Sequence, residues 1–374
     1  MKIIIIGAAY PYRGGLAAFN ERLACEYIAQ GNEVEIYTFS LQYPAFLFPG
    51  KTQYSDEPAP DGLKIYRKIN SINPLNWIKT GWEIRKKNPD CVIIKFWLPF
   101  MSPCLATIAR LIRKNRKTKM VSILDNLIPH EKRIGDRMLT NYFVKSMDGF
   151  VAMSHLVLAD IDKFDKLKPR IFSPHPLYDN FGKKAARQEA LDKLGLDENT
   201  RYILFFGFIR NYKGLDLLLE AFSDKRLRRN VKLLVAGEFY NNSEQYFTLE
   251  KNLGLQGSVI WANNFIPDSE VRYYFAAADL IVQPYKTATQ SGVTQIAYYF
   301  EKPMLVTNVG GLAEIVPDGK VGYVVEPEEH AVADAIVDFY ENNKENSFTE
   351  NIKIEKEKYS WAKMTESISN LLKQ

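Results

Sequence analysis

Two cations three positions apart, Arg210 and Lys213, stand in the segment Phe206-Gly207-Phe208-Ile209-Arg210-Asn211-Tyr212-Lys213-Gly214-Leu215. The apolar run before them reads as a strand and the one after as a helix. A guanidinium offers phosphate oxygens a planar fork, and an ammonium offers a compact point charge. Together they suit a diphosphate. Further along, the stretch 282–316, VQPYKTATQSGVTQIAYYFEKPMLVTNVGGLAEIV, adds a second anion-binding feature. A buried strand stops at Pro284, a mostly polar loop covers 286–290, and Ser291-Gly292-Val293 opens an apolar-periodic run to Phe300 with Ser291 at the N-cap. A second strand, 303–307, leads to Gly310-Gly311 and another helix start at Leu312. Helix N-termini present unpaired N–H groups and a positive dipole end, so two converging ones make an anion cradle. A strand-end Arg/Lys pair alone is ordinary surface charge. Beside such a cradle, it reads as the phosphate-holding half of a nucleotide-sugar site.

The elements that must position these groups alternate. A continuous apolar strand at 2–6, a loop GAAYPYRGG at 7–15, a helix at 16–30 and a strand at 33–39 open the chain as β-loop-α-β, a doubly wound beginning. The loop is not GxGxxG, so dinucleotide binding is poorly supported. Gly14 and Gly15 allow close backbone approach to a ligand, or mark a simple turn. An aromatic, proline-rich excursion at 40–60 suggests acceptor recognition. Helix and strand patterns then alternate to residue 163. A polar stretch at 179–187 reads as a linker, after which the pattern restarts with a strand at 202–207, a helix at 215–222 and a strand at 231–236. The division expected is 1–172, 173–353, and a final amphipathic helix pair at 354–374 around Trp361.

At 374 residues the chain is long enough for two domains, and 46% hydrophobic with 25% charged residues is a soluble globular composition. Three cysteines without a CxxC motif point to reduced thiols and a cytoplasmic setting. No metal-ligand cluster is visible among the four histidines, and neither a metal nor a nucleic-acid partner is expected. MKIIIIG is too short for a signal segment, and 96–112 is broken by Pro99, Pro103 and Arg110, so no spanning helix is expected. The net charge of +5 concentrates at Arg85-Lys86-Lys87 and at 110–119, RLIRKNRKTK. Two readings of that concentration stay open: a solvated face, or attraction to an anionic membrane surface or acidic acceptor.

In order and spacing, the Gly14-Gly15 loop, Asp125-Asn126-Leu127-Ile128-Pro129-His130-Glu131, Gly207 to Gly214, Gly237-Glu238, Asn264-Phe265-Ile266-Pro267, Pro284-Tyr285, Ser291-Gly292-Val293 and Gly310-Gly311-Leu312-Ala313-Glu314 resemble the retaining glycosyltransferases of family 4. The resemblance runs nearly end to end. It implies the α/β GT-B fold: two facing Rossmann-like domains, a C-terminal helix crossing back to the N-terminal one and helping to set closure. It also implies a nucleoside-diphosphate sugar, UDP-linked at the family level, held by the C-terminal domain. The glycan or lipid-linked acceptor is then held by the N-terminal domain, and transfer is metal-independent with retention. Arg210 and Lys213 match the diphosphate-binding pair, Ser291, Gly292 and Val293 the amides at the distal phosphate, and Gly15, beside Gly14, the glycine position near the donor phosphate. His130 matches the catalytic histidine near donor sugar and acceptor. Ile266 matches the base-reading position, and Glu238, Thr289, Gln290 and Glu314 are carried as donor sugar or nucleoside contacts. The setting expected from the cysteines is cytoplasmic, and the membrane reading of the basic runs adds peripheral contact at the inner face of the membrane through the N-terminal domain.

Two departures stand out. The family's paired glutamates would fall at Ala288 and Ile296, and the arginine lies two positions later than in the commoner spacing. With no carboxylate to place beside the anomeric carbon, double displacement lacks its nucleophile. Same-face attack is favoured instead, the leaving diphosphate taking the acceptor's proton while Arg210, Lys213 and the helix end stabilise growing charge. The competing readings are a nucleotide-sugar epimerase on the same scaffold and an inactive nucleotide-sugar-binding homologue. The first needs acids flanking the sugar; the second predicts binding without turnover.

Overall fold

The computed structural model describes residues 1–44, 52–55, 58–129, 133–179, 181–227, 231–240, 242–288 and 291–373. The chain divides into two compact units, Met1–Pro176 with Tyr359–Gln374, and Leu177–Lys358.

The first unit opens with β1 (Lys2–Ile6), α1 (Gly15–Ala29), β2 (Glu33–Leu41), β3 (Ile65–Asn70), α2 (Pro74–Lys87) and β4 (Cys91–Phe96). It continues with α3 (Ser102–Arg113), β5 (Lys119–Leu124), α4 (Asp136–Val144), β6 (Gly149–Ala152), α5 (His155–Ile161) and β7 (Arg170–Phe172). Among the described residues these strands make one sheet, β3-β2-β1-β4-β5-β6-β7, parallel at every ladder. Parallel neighbours need crossovers, and helices on both faces explain why β1 and β4 read as unbroken apolar runs. Ile3 to Ile6 and Cys91 to Phe96 are all buried. The hydrophobic pattern did not mark β3. Its Arg67 and Lys68 are exposed because it is an edge strand with partial cover.

The second unit repeats the plan with α6 (Arg187–Leu194), β8 (Arg201–Phe206), α7 (Leu215–Phe222), β9 (Val231–Ala236), α8 (Glu244–Asn252), β10 (Val259–Ala262) and α9 (Asp268–Ala277). Then come β11 (Leu280–Gln283), α10 (Gly292–Phe300), β12 (Met304–Thr307), α11 (Leu312–Ile315), β13 (Gly322–Val325), α12 (Glu329–Glu341) and α13 (Glu345–Glu355). The sheet order is β10-β9-β8-β11-β12-β13, again parallel. Strand order therefore reverses between β8 and β11, and their carboxyl ends open onto the crevice where ligands of such sheets bind. Both stretches singled out for their chemistry start there.

The final segment is one helix rather than a pair. A 3₁₀ turn at Lys356–Tyr359 separates α13, in the second unit, from α14 (Trp361–Leu372), in the first. Trp361 is buried against Phe19 of α1, with ring centroids 5.0 Å apart. The Gln30 amide donates to Thr365 Oγ1 at 2.8 Å. Leu371 packs so closely on Gly149 that a Cβ there would lie 3.0 Å from its Cδ2.

Candidate active site

The loop after β8 is shaped by its glycines. Gly214 takes φ 69°, and a Cβ on it would lie 1.9 Å from the Pro284 carbonyl oxygen. The loop after β11 thus docks directly on the loop after β8. The Lys286 N–H donates to the Tyr212 carbonyl at 2.7 Å, and the Lys286 ammonium pairs with Asp216 at the start of α7. On the other side, Gly237 at the end of β9 takes φ 148°, and a Cβ there would meet the Gly207 carbonyl oxygen at 2.1 Å. The Ile209 N–H donates to the Glu238 carbonyl and the Tyr240 N–H to the Ile209 carbonyl, at 2.9 and 3.0 Å. Three strand-end loops are thereby laced into one surface.

Arg210 and Lys213 both stand on that surface. Neither makes an ion pair or side-chain hydrogen bond among the described residues. The Arg210 guanidinium instead lies 3.6 Å from the centroid of the Tyr240 ring. The Lys213 ammonium lies 3.1 Å from where a Gly207 Cβ would be, and Val293 Cγ2 lies 3.8 Å from that same point. Lys213 thus sits against the opening turn of α10. Its ammonium also lies 5.6 Å from the centroid of the Tyr285 ring, and the Tyr285 hydroxyl is 3.2 Å from Ser291 Oγ. Burial, reinforced by the charge of Arg210, pulls the Lys213 pKa down to about 7. Two cations held close without a carboxylate repel each other unless an anion joins them.

Ser291 caps α10, its Oγ accepting from the Val293 N–H at 3.2 Å. Such a cap stabilises the helix by about 1 kcal/mol. The Gly292 N–H opens the helix beside it, packed under Tyr178, whose Cε2 lies 2.8 Å from a Cβ placed on Gly292. Of the two expected helix starts, α10 spans nine residues and α11 only four. A single turn sums few peptide dipoles, so the field at this edge comes chiefly from α10.

The other candidates fall as follows. Glu238 is buried in the loop after β9, and Ile266 is buried in the loop after β10. Glu314 is exposed on α11, past the end of β12. All three lie beyond carboxyl ends of the second sheet. Gly14 caps α1 and Gly15 is its first residue, both in the first unit. His130, Thr289 and Gln290 lie outside the described residues. Ala288 and Ile296, where the glutamates were missing, are both buried.

The sequence reading missed two features. Tyr240 holds Arg210, a contact with no signature in spacing. An ion pair lies in the core of the first unit, where Lys95 on β4 meets Asp125 at 2.9 Å. The Lys95 ammonium also lies 3.4 Å from the Phe19 ring centroid, beside the buried His175. Burial, helped by Lys95, holds His175 at about 3 and therefore neutral. A lysine inside the apolar run CVIIKF was the visible signal.

Residues 186–355 match the family model of glycosyl transferases group 1. A D-inositol 3-phosphate glycosyltransferase of Pseudarthrobacter chlorophenolicus is 24% identical over 371 residues, 88% of this chain and 82% of that protein. An uncharacterized glycosyltransferase of Methanocaldococcus jannaschii is 24% identical over 97% of this chain and 95% of its own. The chain is a glycosyltransferase. Its fold is GT-B. HepE of Anabaena, solved in complex with UDP-glucose, superposes on this glycosyltransferase with a TM-score of 0.73 over 100% of this chain and 99% of its own, at 17% identity.

Proposed function

We propose that this glycosyltransferase moves a hexosyl group from a UDP-linked sugar to a glycan or lipid-linked acceptor in surface polysaccharide or glycolipid synthesis, with retention and without a bound metal. The observation that carries the reading is the Arg210–Lys213 couple, without an ion pair among the described residues, beside the first turn of α10 at the strand-order reversal of the second sheet. Two fixed cations and a helix N-terminus match the charge of a nucleoside diphosphate and meet it as the glycosidic bond breaks. The solved complexes of HepE with UDP and with UDP-glucose support uridine as the base.

In the proposed reaction the acceptor hydroxyl attacks on the face that the diphosphate leaves. A diphosphate oxygen takes its proton, and Arg210 and Lys213 stabilise the departing charge. The acceptor is assigned to the first unit and the donor to the second. The cytoplasm and the inner membrane face are the proposed setting.

The test is titration calorimetry of UDP, GDP and ADP into wild type, Arg210→Ala and Lys213→Ala. Binding of UDP over the others, weakened at least about tenfold (1.4 kcal/mol) in each variant, is the expected result. Equal binding by both variants would remove the phosphate site from this surface. Product NMR then reads the anomeric configuration, and an inverted linkage would end the same-face mechanism.

A further inference from the structure

Arg210 and Tyr240 meet because the second sheet runs one rung past its strands. Beyond the ends of β8 and β9, Ile209 and Phe239 form a parallel bridge. The Ile209 N–H donates to the Glu238 carbonyl and the Tyr240 N–H to the Ile209 carbonyl, which fixes the register. Side chains alternate across such a rung. Ile209 and Phe239 pack into the core of the second unit, Phe239 against Tyr246, Phe247 and Trp261. Arg210 and Tyr240, the next residue along each chain, therefore emerge side by side on the opposite face. Phe208 meets the Tyr240 ring edge to face, 6.0 Å between centroids, and Phe265 backs Phe208 at 6.3 Å. An aromatic block built from three strand-end loops carries the guanidinium.

A ring seats this cation in a way that an acid could not. Burial and then the charge of Arg210 lower the Lys213 pKa, so the two cations stand close enough to repel. A long side chain with no ion pair would swing to solvent and shed that repulsion. A carboxylate would hold it, but would also cancel the charge. A ring face attracts the cation and leaves the charge intact. With its central carbon 3.6 Å from the ring centroid, the guanidinium has no room to stand on edge. Its plane lies along the ring, and its N–H groups point outward. Charge and donors both stay available to a diphosphate. The conformational freedom that a phosphate would otherwise have to remove is already restricted.

We propose that Tyr240 is a positioning residue for the transfer reaction, holding Arg210 on its ring face, against the repulsion of Lys213, ready for the donor diphosphate. The role rests on Arg210 and Lys213 being the donor's phosphate site. Tyr240 itself touches no reacting atom and acts only through the guanidinium. Arg210 stays on the ring when the donor arrives, because the N–H groups that meet phosphate lie in the plane that the ring leaves open.

The test sets Tyr240→Leu, Tyr240→Phe and Arg210→Ala in a double-mutant cycle, read by UDP calorimetry and by NMR of the Arg210 side chain. In the free protein the Arg210 Nε–H proton should resonate upfield through the ring current in wild type and Tyr240→Phe, but not in Tyr240→Leu. Tyr240→Leu should weaken UDP binding about five- to tenfold at an unchanged unfolding temperature, the effect of one partly desolvated cation–π contact. Tyr240→Phe keeps the ring and should bind within about twofold of wild type. In the Arg210→Ala background, Tyr240→Leu should change nothing further. An equal loss in that background would overturn the proposal, since the ring would then act without the guanidinium. Tighter binding by Tyr240→Leu would also overturn it, showing that ring and phosphate compete, as would a Tyr240→Phe variant as weak as Tyr240→Leu. The two readings fail separately. Wild type that binds no UDP, or Arg210→Ala that binds it like wild type, ends the donor assignment and the positioning role with it. An Arg210 proton without the upfield shift ends the seat alone.

Discussion

Gly214 and Pro284 meet backbone to backbone, with no room for a side chain between them: a Cβ on the glycine would lie 1.9 Å from the proline carbonyl oxygen. This contact joins the loop carrying Arg210 and Lys213 to the loop leading into Ser291. Gly214→Ala meets two obstacles, a φ of 69° and the Pro284 oxygen. The strained conformation alone costs about 1–2 kcal/mol, and the overlap forces the loops apart. The expected outcome is a loss of more than about 3 kcal/mol in denaturant unfolding, with nucleotide binding abolished. A variant as stable as wild type would show that the loops separate freely.

Lys213 makes diphosphate binding weaken as pH rises. Its pKa in the free protein is about 7, below the usual lysine value, through burial and the neighbouring Arg210. Above that pH the side chain is largely neutral, and a diphosphate must bind with uptake of a proton. UDP affinity should therefore fall between pH 7 and pH 9 by roughly tenfold or more. Calorimetry in buffers of differing ionisation enthalpy should register the proton. Affinity flat across that range in wild type would contradict the assignment.

The same residue should oppose stability. Because the folded pKa is depressed, the unfolded chain binds more protons between about pH 7 and pH 10. Lys213 therefore contributes a stability that rises with pH through that window and is least below it. Lys213→Met should raise the unfolding temperature at pH 6 while eliminating UDP binding. A lowered unfolding temperature would show that the ammonium is well accommodated without a ligand.

The Lys95–Asp125 pair is a structural prediction for the first unit. Burial lowers the Lys95 pKa, and Asp125 works against that. Removing only the cation strands a carboxylate, so Lys95→Met should cost about 3–5 kcal/mol. Lys95→Met with Asp125→Asn should recover part of that loss, because the buried charge is gone. Additive costs in a double-mutant cycle would deny the coupling.

Much of this molecule is local and could be read along the chain. The unbroken apolar runs of β1, β4, β8 and β9, separated by amphipathic helices, specify two parallel sheets because only two-sided cover accommodates such strands. Ser291 before an apolar-periodic run specifies a capped helix. The loop glycines and the Arg210–Lys213 spacing mark a strand-end loop that feeds a helix, and the structure sets Lys213 of that loop beside the first turn of α10. Where the pattern was weak, the reading failed for a physical reason. Edge strand β3 has partial cover and so no clean period, and the final segment is divided between two units at a 3₁₀ turn that no composition signals.

Contacts between residues distant in sequence were decided only by the tertiary structure. The seat of Arg210 on Tyr240, the docking of Gly214 on Pro284, and the ion pair of Lys95 with Asp125 all join separate strand ends through sheet order, which periodicity does not encode. Exposure is of the same kind. The sequence shows that α2 holds leucine, isoleucine and two tryptophans. Only the tertiary packing decides that Trp77 turns inward, its indole N–H donating to the Asn70 carbonyl, while Leu75, Ile78 and Trp82 face out.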